Sequence, residues 1–330
     1  KDLLNWWGLI YLETEYNDSH WEMEEANMSD QLLTALAFDG QLRVLVLDAT
    51  GVVQEAVNRH KTWHTATAVL GRTLVGTLLL AANSKGDERL RVEILGTGPV
   101  GRIIAEGDAY GHVRGFVSNP QVALELNAIG KLDVAGAVGM PGNMAVRKLL
   151  GNKELFAGQV PLVSGELAED FTYYMAVSEQ TASCIGLSVL VNPDESVAKS
   201  GGFMIQVMPG ATDETIDFIE KRIADLGRFS DLLESQPSLE ALLDLLVGHG
   251  NSEVLSKKDV SFYCGCSKEA YGHGIQSLGR KEIQAMIDED GGAEVVCHYC
   301  ENHYDYSVQE LEAIIAAGEA AGQEADAEEV

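Results

Sequence analysis

Between Met28 and about Gln206 the spacing of apolar positions keeps switching between a period of two and a period near 3.6. "QLRVLVLDATGVVQEAV" reads as two strand-like runs around Ala49-Thr50-Gly51 and predicts a hairpin there. "TWHTATAVLGRTLVGTLLLAAN" predicts an apolar helix whose small residues permit close packing. "RLRVEILG", "PVGRIIAEGDA" and "GHVRGFVSN" read as strands divided by glycine-rich turns. "DFTYYMAVSEQTASCIGLSVLVN" begins helical and turns strand-like near Ile185. Helix and strand mix without regular alternation, which points to an α+β domain rather than a doubly wound sheet.

From Ala211 to about Gly250 the texture becomes helical and amphipathic. Ile216, Ile219, Ile223 and Leu226 fall at helical spacing, with Thr212 or Asp213 as the N-cap. Leu239, Leu242, Leu243 and Leu246 form a second stripe, with Pro237 near its first turn. Isolated helices shorter than ~12–15 residues are marginal in water, so these stripes need an apolar surface to lie on.

The two ends differ from the rest. Residues 1–27 hold Trp6, Trp7 and Trp21 and are rich in acid, whereas Met28 begins an ordinary-looking start; we expect 1–27 to be an appended or misassigned leader. Residues 318–330 are an Ala/Glu/Gly tail expected to be disordered. The expected division is a core domain at 28–205, a helical linker at 206–258 and a small cysteine module at 259–317.

Composition narrows the function classes. Lys and Arg number 23 against 51 Asp and Glu, a net charge of -28, and such a surface repels phosphate backbones. No run of eighteen apolar residues occurs, so no membrane span is expected. The first residues lack the basic start and small-residue cleavage site of a signal peptide, so the expected location is the cytoplasm.

Four of the five cysteines form two tight pairs about thirty residues apart: Cys264 and Cys266 as C-x-C, Cys297 and Cys300 as C-x-x-C. In a chain so sparing with sulfur, two such pairs fit the tetrahedral geometry of one Zn2+ per chain. Four thiolates leave no open position for water, so the site is structural or redox-active and not hydrolytic. A plain zinc ribbon that only staples a small domain is the alternative on the residues alone. A metal keeps the thiols deprotonated, and a module this small draws folding free energy from it, so oxidation of the ligands would unfold the module. His298 and His303 lie beside a complete sulfur shell and read as surface or supporting residues.

The remaining motifs are weak. "GTGPVG" (Gly96, Gly98, Gly101) matches G-x-G-x-x-G, but the next residues show strand alternation and Pro99 removes a backbone donor, so turn glycines are the better reading than a dinucleotide site. No P-loop and no G-x-S-x-G elbow occurs, and no convergent acid, base and nucleophile suggests an enzyme. Cys184 sits among small and apolar residues as a buried free thiol. His60 and His64, four apart, have no third ligand nearby and read as capping or surface residues.

The C-x-C and C-x-x-C pattern, together with "QVPLVSGELAEDFTYYMAVSEQ" at 159–180 and "QVMPGA" at 206–211, resembles the bacterial redox-regulated heat-shock chaperone family (heat shock protein 33, the 33 kDa chaperonin) from Met28 to about Ala317. Residues 1–27 and Cys184 depart from that pattern. The resemblance implies an ATP-independent holdase, inactive when reduced and zinc-bound. It implies that oxidative stress joins Cys264 to Cys266 and Cys297 to Cys300 as redox-active disulfides, releases zinc and loosens the linker. It further implies binding of unfolding client proteins and a homodimer in the oxidised form. A constitutive zinc-ribbon adaptor or nucleic-acid-binding protein is the competing reading, and the charge argues against nucleic acid.

Overall fold

The computed structural model describes the backbone of residues 30–328 except 152, 227 and 228, and side chains as far as Glu319. The expected leader at 1–27 lies outside the described residues. The chain opens with β1 (Gln31–Ala37) and β2 (Leu42–Asp48), then α1 (Thr50–His60) and α2 (His64–Ala81). Next come β3 (Glu88–Leu95), β4 (Arg102–Asp108), β5 (His112–Val117) and the short α3 (Val134–Val138). They are followed by β6 (Asn143–Leu150), β7 (Lys153–Pro161), α4 (Ala168–Val177), β8 (Ser183–Val191) and β9 (Val197–Val207). Three helices, α5 (Asp213–Asp225), α6 (Phe229–Ser235) and α7 (Leu239–Val247), lead to β10 (Ser252–Asp259) and β11 (Ser261–Phe262). The last part holds α8 (Lys268–Gln276), α9 (Arg280–Asp290), β12 (Gly292–Val296), β13 (His303–Ser307) and α10 (Val308–Glu328).

The fold is α+β, as expected. One sheet runs β10-β1-β2-β9-β8, a second runs β11-β5-β4-β3-β6-β7, and β12-β13 form a separate ribbon. Helix α2 is apolar nearly all round, and a helix with no polar face is stable only when enclosed. It shares a core with residues of both large sheets, among them Leu47, Val92, Ile103, Val146 and Met204. Two of its threonines bond within the helix, Thr73 Oγ1 donating to the Val69 carbonyl and Thr77 Oγ1 to the Thr73 carbonyl. Gly76 admits Phe171, whose Cε2 would lie 2.5 Å from a Cβ there.

The other face of the β10-β1-β2-β9-β8 sheet is covered by the linker helices. Ile219, Leu233, Leu242, Leu243 and Leu246 bury themselves against Leu33, Val44, Val46, Phe203 and Ile205 in a second core. Thr212 is the N-cap of α5, accepting from the Thr215 amide, and Ser238 caps α7. Pro237 stands just before that cap, outside the helix.

The structure corrects three expectations. "TGVVQEAV" is not the second arm of a hairpin but the body of α1. Its first amides donate to carboxylates: Gly51 and Val52 to Asp30, and Thr50 to Asp48, so two anions sit at the positive end of the helix. Val52, Val53, Ala56 and His60 are buried at helical spacing, while β2 takes β1 and β9 as partners. Residues 252–259, expected to end a helical linker, form β10, an edge strand antiparallel to β1. It is almost wholly exposed, so no apolar alternation marks it. Helix α10 runs to Glu328, into the tail expected to be disordered; its alanines and glutamates are strong helix formers.

"GTGPVG" is packing rather than phosphate binding. A Cβ at Gly96 would lie 2.1 Å from the Val138 carbonyl oxygen, and one at Gly98 2.2 Å from that of Ala137. The segment after it is strand β4.

If the linker helices are a separately yielding layer, Leu242→Ala should act locally. Truncating this buried leucine costs about 2–5 kcal/mol where the cavity does not collapse. We expect amide exchange to rise across α5–α7 while α2 stays protected. An equal rise in both would show a single cooperative unit.

Candidate metal centre

The four paired cysteines converge. Their sulfur atoms all lie within 4.8 Å of one another, at the meeting point of two chain segments. Cys264 follows β11, and Cys266 precedes Ser267, the N-cap of α8. Cys297 and Cys300 sit in the turn between β12 and β13, where the Cys300 and Glu301 amides donate to the Cys297 carbonyl and the Cys297 amide donates to Asn302. Glu301 takes a positive φ of 57° to close that turn. Cys297 and Cys300 are buried, Cys264 and Cys266 half-buried.

The spacing suits a tetrahedral ion. Four sulfurs around a metal at bonds of about 2.3 Å have edges of about 3.8 Å. Cys264 and Cys297 Sγ stand 3.8 Å apart, and Cys266 and Cys300 Sγ 3.3 Å. These shortest contacts cross between the two pairs, as in a tetrahedron where each corner neighbours the other three.

The protonation pattern of the bare thiols also calls for a cation. Burial pushes Cys266 and Cys300 up. Burial opposes ionisation of Cys297 too, but hydrogen bonds from the Tyr271 hydroxyl, the Tyr299 amide and the neighbouring thiols bring it down to about 7. Only part of the set ionises easily without a positive charge at its middle.

The module around the cysteines has a small core of its own: Ile275, Ile283, Tyr306 and Leu311 are buried. Tyr304 closes one side, its hydroxyl 3.1 Å from both the sulfur and the carbonyl oxygen of Cys266.

The main domain grips the centre from the opposite side. Strand β11 pairs in parallel with β5. Arg114 on β5 donates from Nη1 to Cys264 Sγ at 3.2 Å, and its Nη2 lies 2.6 Å from Glu106 on β4. Tyr299 donates its hydroxyl to Glu106 at 2.8 Å and stacks under the Arg114 guanidinium at 4.2 Å. Burial alone would raise the Glu106 carboxyl; Arg114 and the Tyr299 hydroxyl outweigh it and hold it below the usual range. Arg59 donates to the Cys300 carbonyl at 3.1 Å.

His60 is corrected here. It is neither a cap nor a surface residue: its ring is buried, with Nε2 3.2 Å from the Tyr299 carbonyl oxygen and Nδ1 3.5 Å from the Glu301 carboxylate. Burial pushes its pKa down. His64 instead pairs with Glu195, and His298 and His303 are exposed. Cys184, half-buried on β8 beside the second core, is outside the sulfur cluster, and burial pushes its thiol up. Sequence reasoning missed Arg59, His60, Glu106 and Arg114. Glu106 and Arg114 face each other only through the β4–β5 register, which no local pattern announces.

Known proteins resemble most of this chain. Residues 30–307 match the family model described as Hsp33 protein. The 33 kDa chaperonin of Enterococcus faecalis is 53% identical over 284 residues, 86% of this chain and 95% of that protein. That of Shouchella clausii is 51% identical over 292 residues, covering 88% and 99%. The crystal structure of the 33 kDa chaperonin (heat shock protein 33 homolog) of Thermotoga maritima superposes with a TM-score of 0.80 at 38% identity, covering 87% of this chain and 98% of that one.

Metal binding should weaken as pH falls. Cys266 and Cys300 hold raised pKa values without metal, so they are protonated at neutral pH and must shed protons to bind. Lowering the pH therefore favours the metal-free form, by roughly tenfold per pH unit for each proton displaced. Competition against a chromophoric chelator between pH 6 and 8 measures the slope; a pH-independent affinity would contradict the assignment.

Proposed function

The chain belongs to the Hsp33 family, a chaperone family, and from that premise we propose that it is a redox-regulated, ATP-independent holdase whose switch is the four-cysteine centre. The observation that carries this reading is the convergence of Cys264, Cys266, Cys297 and Cys300 within 4.8 Å, in a module with a small apolar core. Zinc bound by these four would keep the thiolates ionised and staple the module.

In the reduced state the module stays folded and the linker helices lie on the β10-β1-β2-β9-β8 sheet. Under oxidative stress Cys264 joins Cys266, and Cys297 joins Cys300. Each new S–S bond delivers two electrons to an oxidant such as a peroxide and removes two ligands from the metal. Every sulfur lies within 4.8 Å of every other, so this pairing needs only local rearrangement. Without its metal the module loses its fold, and the linker loses a neighbour. Ile219, Leu242 and Leu246 then become exposed, together with the sheet residues they cover, Leu33, Val44, Val46, Phe203 and Ile205, and the half-buried Ile216 is uncovered further. That apolar area suits unfolding client proteins and a second oxidised copy of the chain.

The functional division is a core at 28–205, a linker at 206–258 and a switch module at 259–317, with β10 as the part of the linker built into a sheet. The net charge of -28 fits a protein that stays dispersed in the cytoplasm with apolar surface exposed and does not bind nucleic acid. No helix among the described residues is long and apolar enough to cross a membrane.

Reduced protein is expected to carry one zinc per chain and to leave the aggregation of a heat-unfolding test protein unchecked. After peroxide treatment at elevated temperature the zinc should be gone and aggregation suppressed. Replacing all four cysteines by serine should abolish zinc binding, whereas Cys184→Ser should alter neither property. Client binding that ignores the oxidant would favour a constitutive zinc-ribbon adaptor instead.

Amide exchange on reduced and oxidised samples tests the coupling. Exchange should rise first in 259–317 and then in 211–250, with most of 28–205 protected. A linker as protected as the core in the active form would place the client surface elsewhere.

A further inference from the structure

Arg114 is the one core side chain among the described residues that donates to a sulfur of the centre. Its guanidinium fork is fully committed. Nε and Nη2 lie 3.2 and 2.6 Å from Glu106 Oε2, and Nη1 lies 3.2 Å from Cys264 Sγ. Its face covers the ring of Tyr299, which stands between Cys297 and Cys300. Tyr299 in turn donates to the other oxygen of Glu106. One arginine therefore touches both halves of the centre, Cys264 directly and the C-x-x-C turn through Tyr299. A surface ion pair would have no such reach; here Arg114 and Glu106 are largely shielded, with side chains 21% and 8% exposed.

The bond to Cys264 differs in kind from the others. An N–H donor on a guanidinium bonds strongly to a charged sulfur, while an uncharged sulfur is a weak acceptor. Conversion of Cys264 to a disulfide removes the charge and leaves Arg114 with Glu106 alone. Building on the proposed redox switch, we propose that Arg114 is the positioning residue through which the core sheet holds the cysteine module, and that it holds the module only while Cys264 is a thiolate. β11, which pairs with β5 beside Arg114, is the strand released when that hold is lost.

The test compares wild type, Arg114→Met and, as a control, Arg89→Met, whose guanidinium in the same cleft bonds to Gly151. Arg114→Met leaves the buried Glu106 carboxylate with only Arg91, 3.8 Å away, and the Tyr299 hydroxyl, so the Glu106→Gln/Arg114→Met double variant repeats the comparison without that buried charge. Zinc content, zinc transfer to a chelator and amide exchange are read on reduced protein, and exchange again after oxidation. Both Arg114 variants are expected to retain one zinc but to surrender it about tenfold more readily, the usual effect of removing a partner of a metal ligand. Their exchange should rise in β11 and in the 297–302 turn while α2 is unchanged, and this difference from wild type should vanish once all proteins are oxidised. Equal zinc transfer and equal β11 exchange in reduced wild type and variants would overturn the proposal while the four-cysteine reading stands. A difference that persists unchanged after oxidation would also overturn it, because the hold would then not depend on the thiolate. Reduced wild type that carries no zinc would sink both.

Discussion

Four thiolates cannot share a space a few ångströms across unless a positive charge sits among them. Two like charges 4 Å apart repel by about 4 kcal/mol even at an effective dielectric near 20, and here all four sulfurs lie within 4.8 Å of one another. The centre therefore holds either charged sulfurs around a cation or thiols that keep their protons, as the raised Cys266 and Cys300 do. The rest of the molecule is arranged around that choice. The module has few buried apolar side chains of its own, and the linker helices bury their stripes against one face of the β10-β1-β2-β9-β8 sheet.

The core does not share this dependence. Helix α2 is enclosed by both large sheets, and of the residues at 259–317 only Val260 and Phe262, at the junction with the core, join its cluster. Apolar packing is thus graded along the chain, from a densely packed centre to a module with a small core of its own, joined to the rest by a few polar contacts. Such grading lets one part change state without the whole chain unfolding.

Much of this was legible in the sequence because it is written in local patterns. The cysteine spacing, the strands at 88–95, 102–108 and 112–117, the apolar helix at 64–81 and the Thr212 cap all depend on residues near one another in the chain. The errors fell where distant residues decide. "GVVQEAV" has enough alternation to pass for a strand, and it is a helix because Asp30 and Asp48 reach its first amides. β10 is a polar edge strand whose only signal is its partner β1. His60, Glu106 and Arg114 acquire meaning from a module far along the chain, Tyr299 lying 239 residues beyond His60 and Cys264 150 beyond Arg114, so no motif search around them could have found the site.

Strand β10 returns the chain to the same sheet that β9 left, so the three linker helices hang between two anchored ends. On the proposed opening they would form a closed loop rather than a free arm. The entropy released by a loop grows only slowly with its length, so opening gains less than it would from a severed segment, and reclosure starts with the ends already in place. The apolar stripes also stay within a tethered radius of the face they uncovered, at a high effective concentration relative to it. On that proposal, anything that occupied the face would compete with a lid still tethered beside it, which would set a built-in threshold for capture and a built-in route for release.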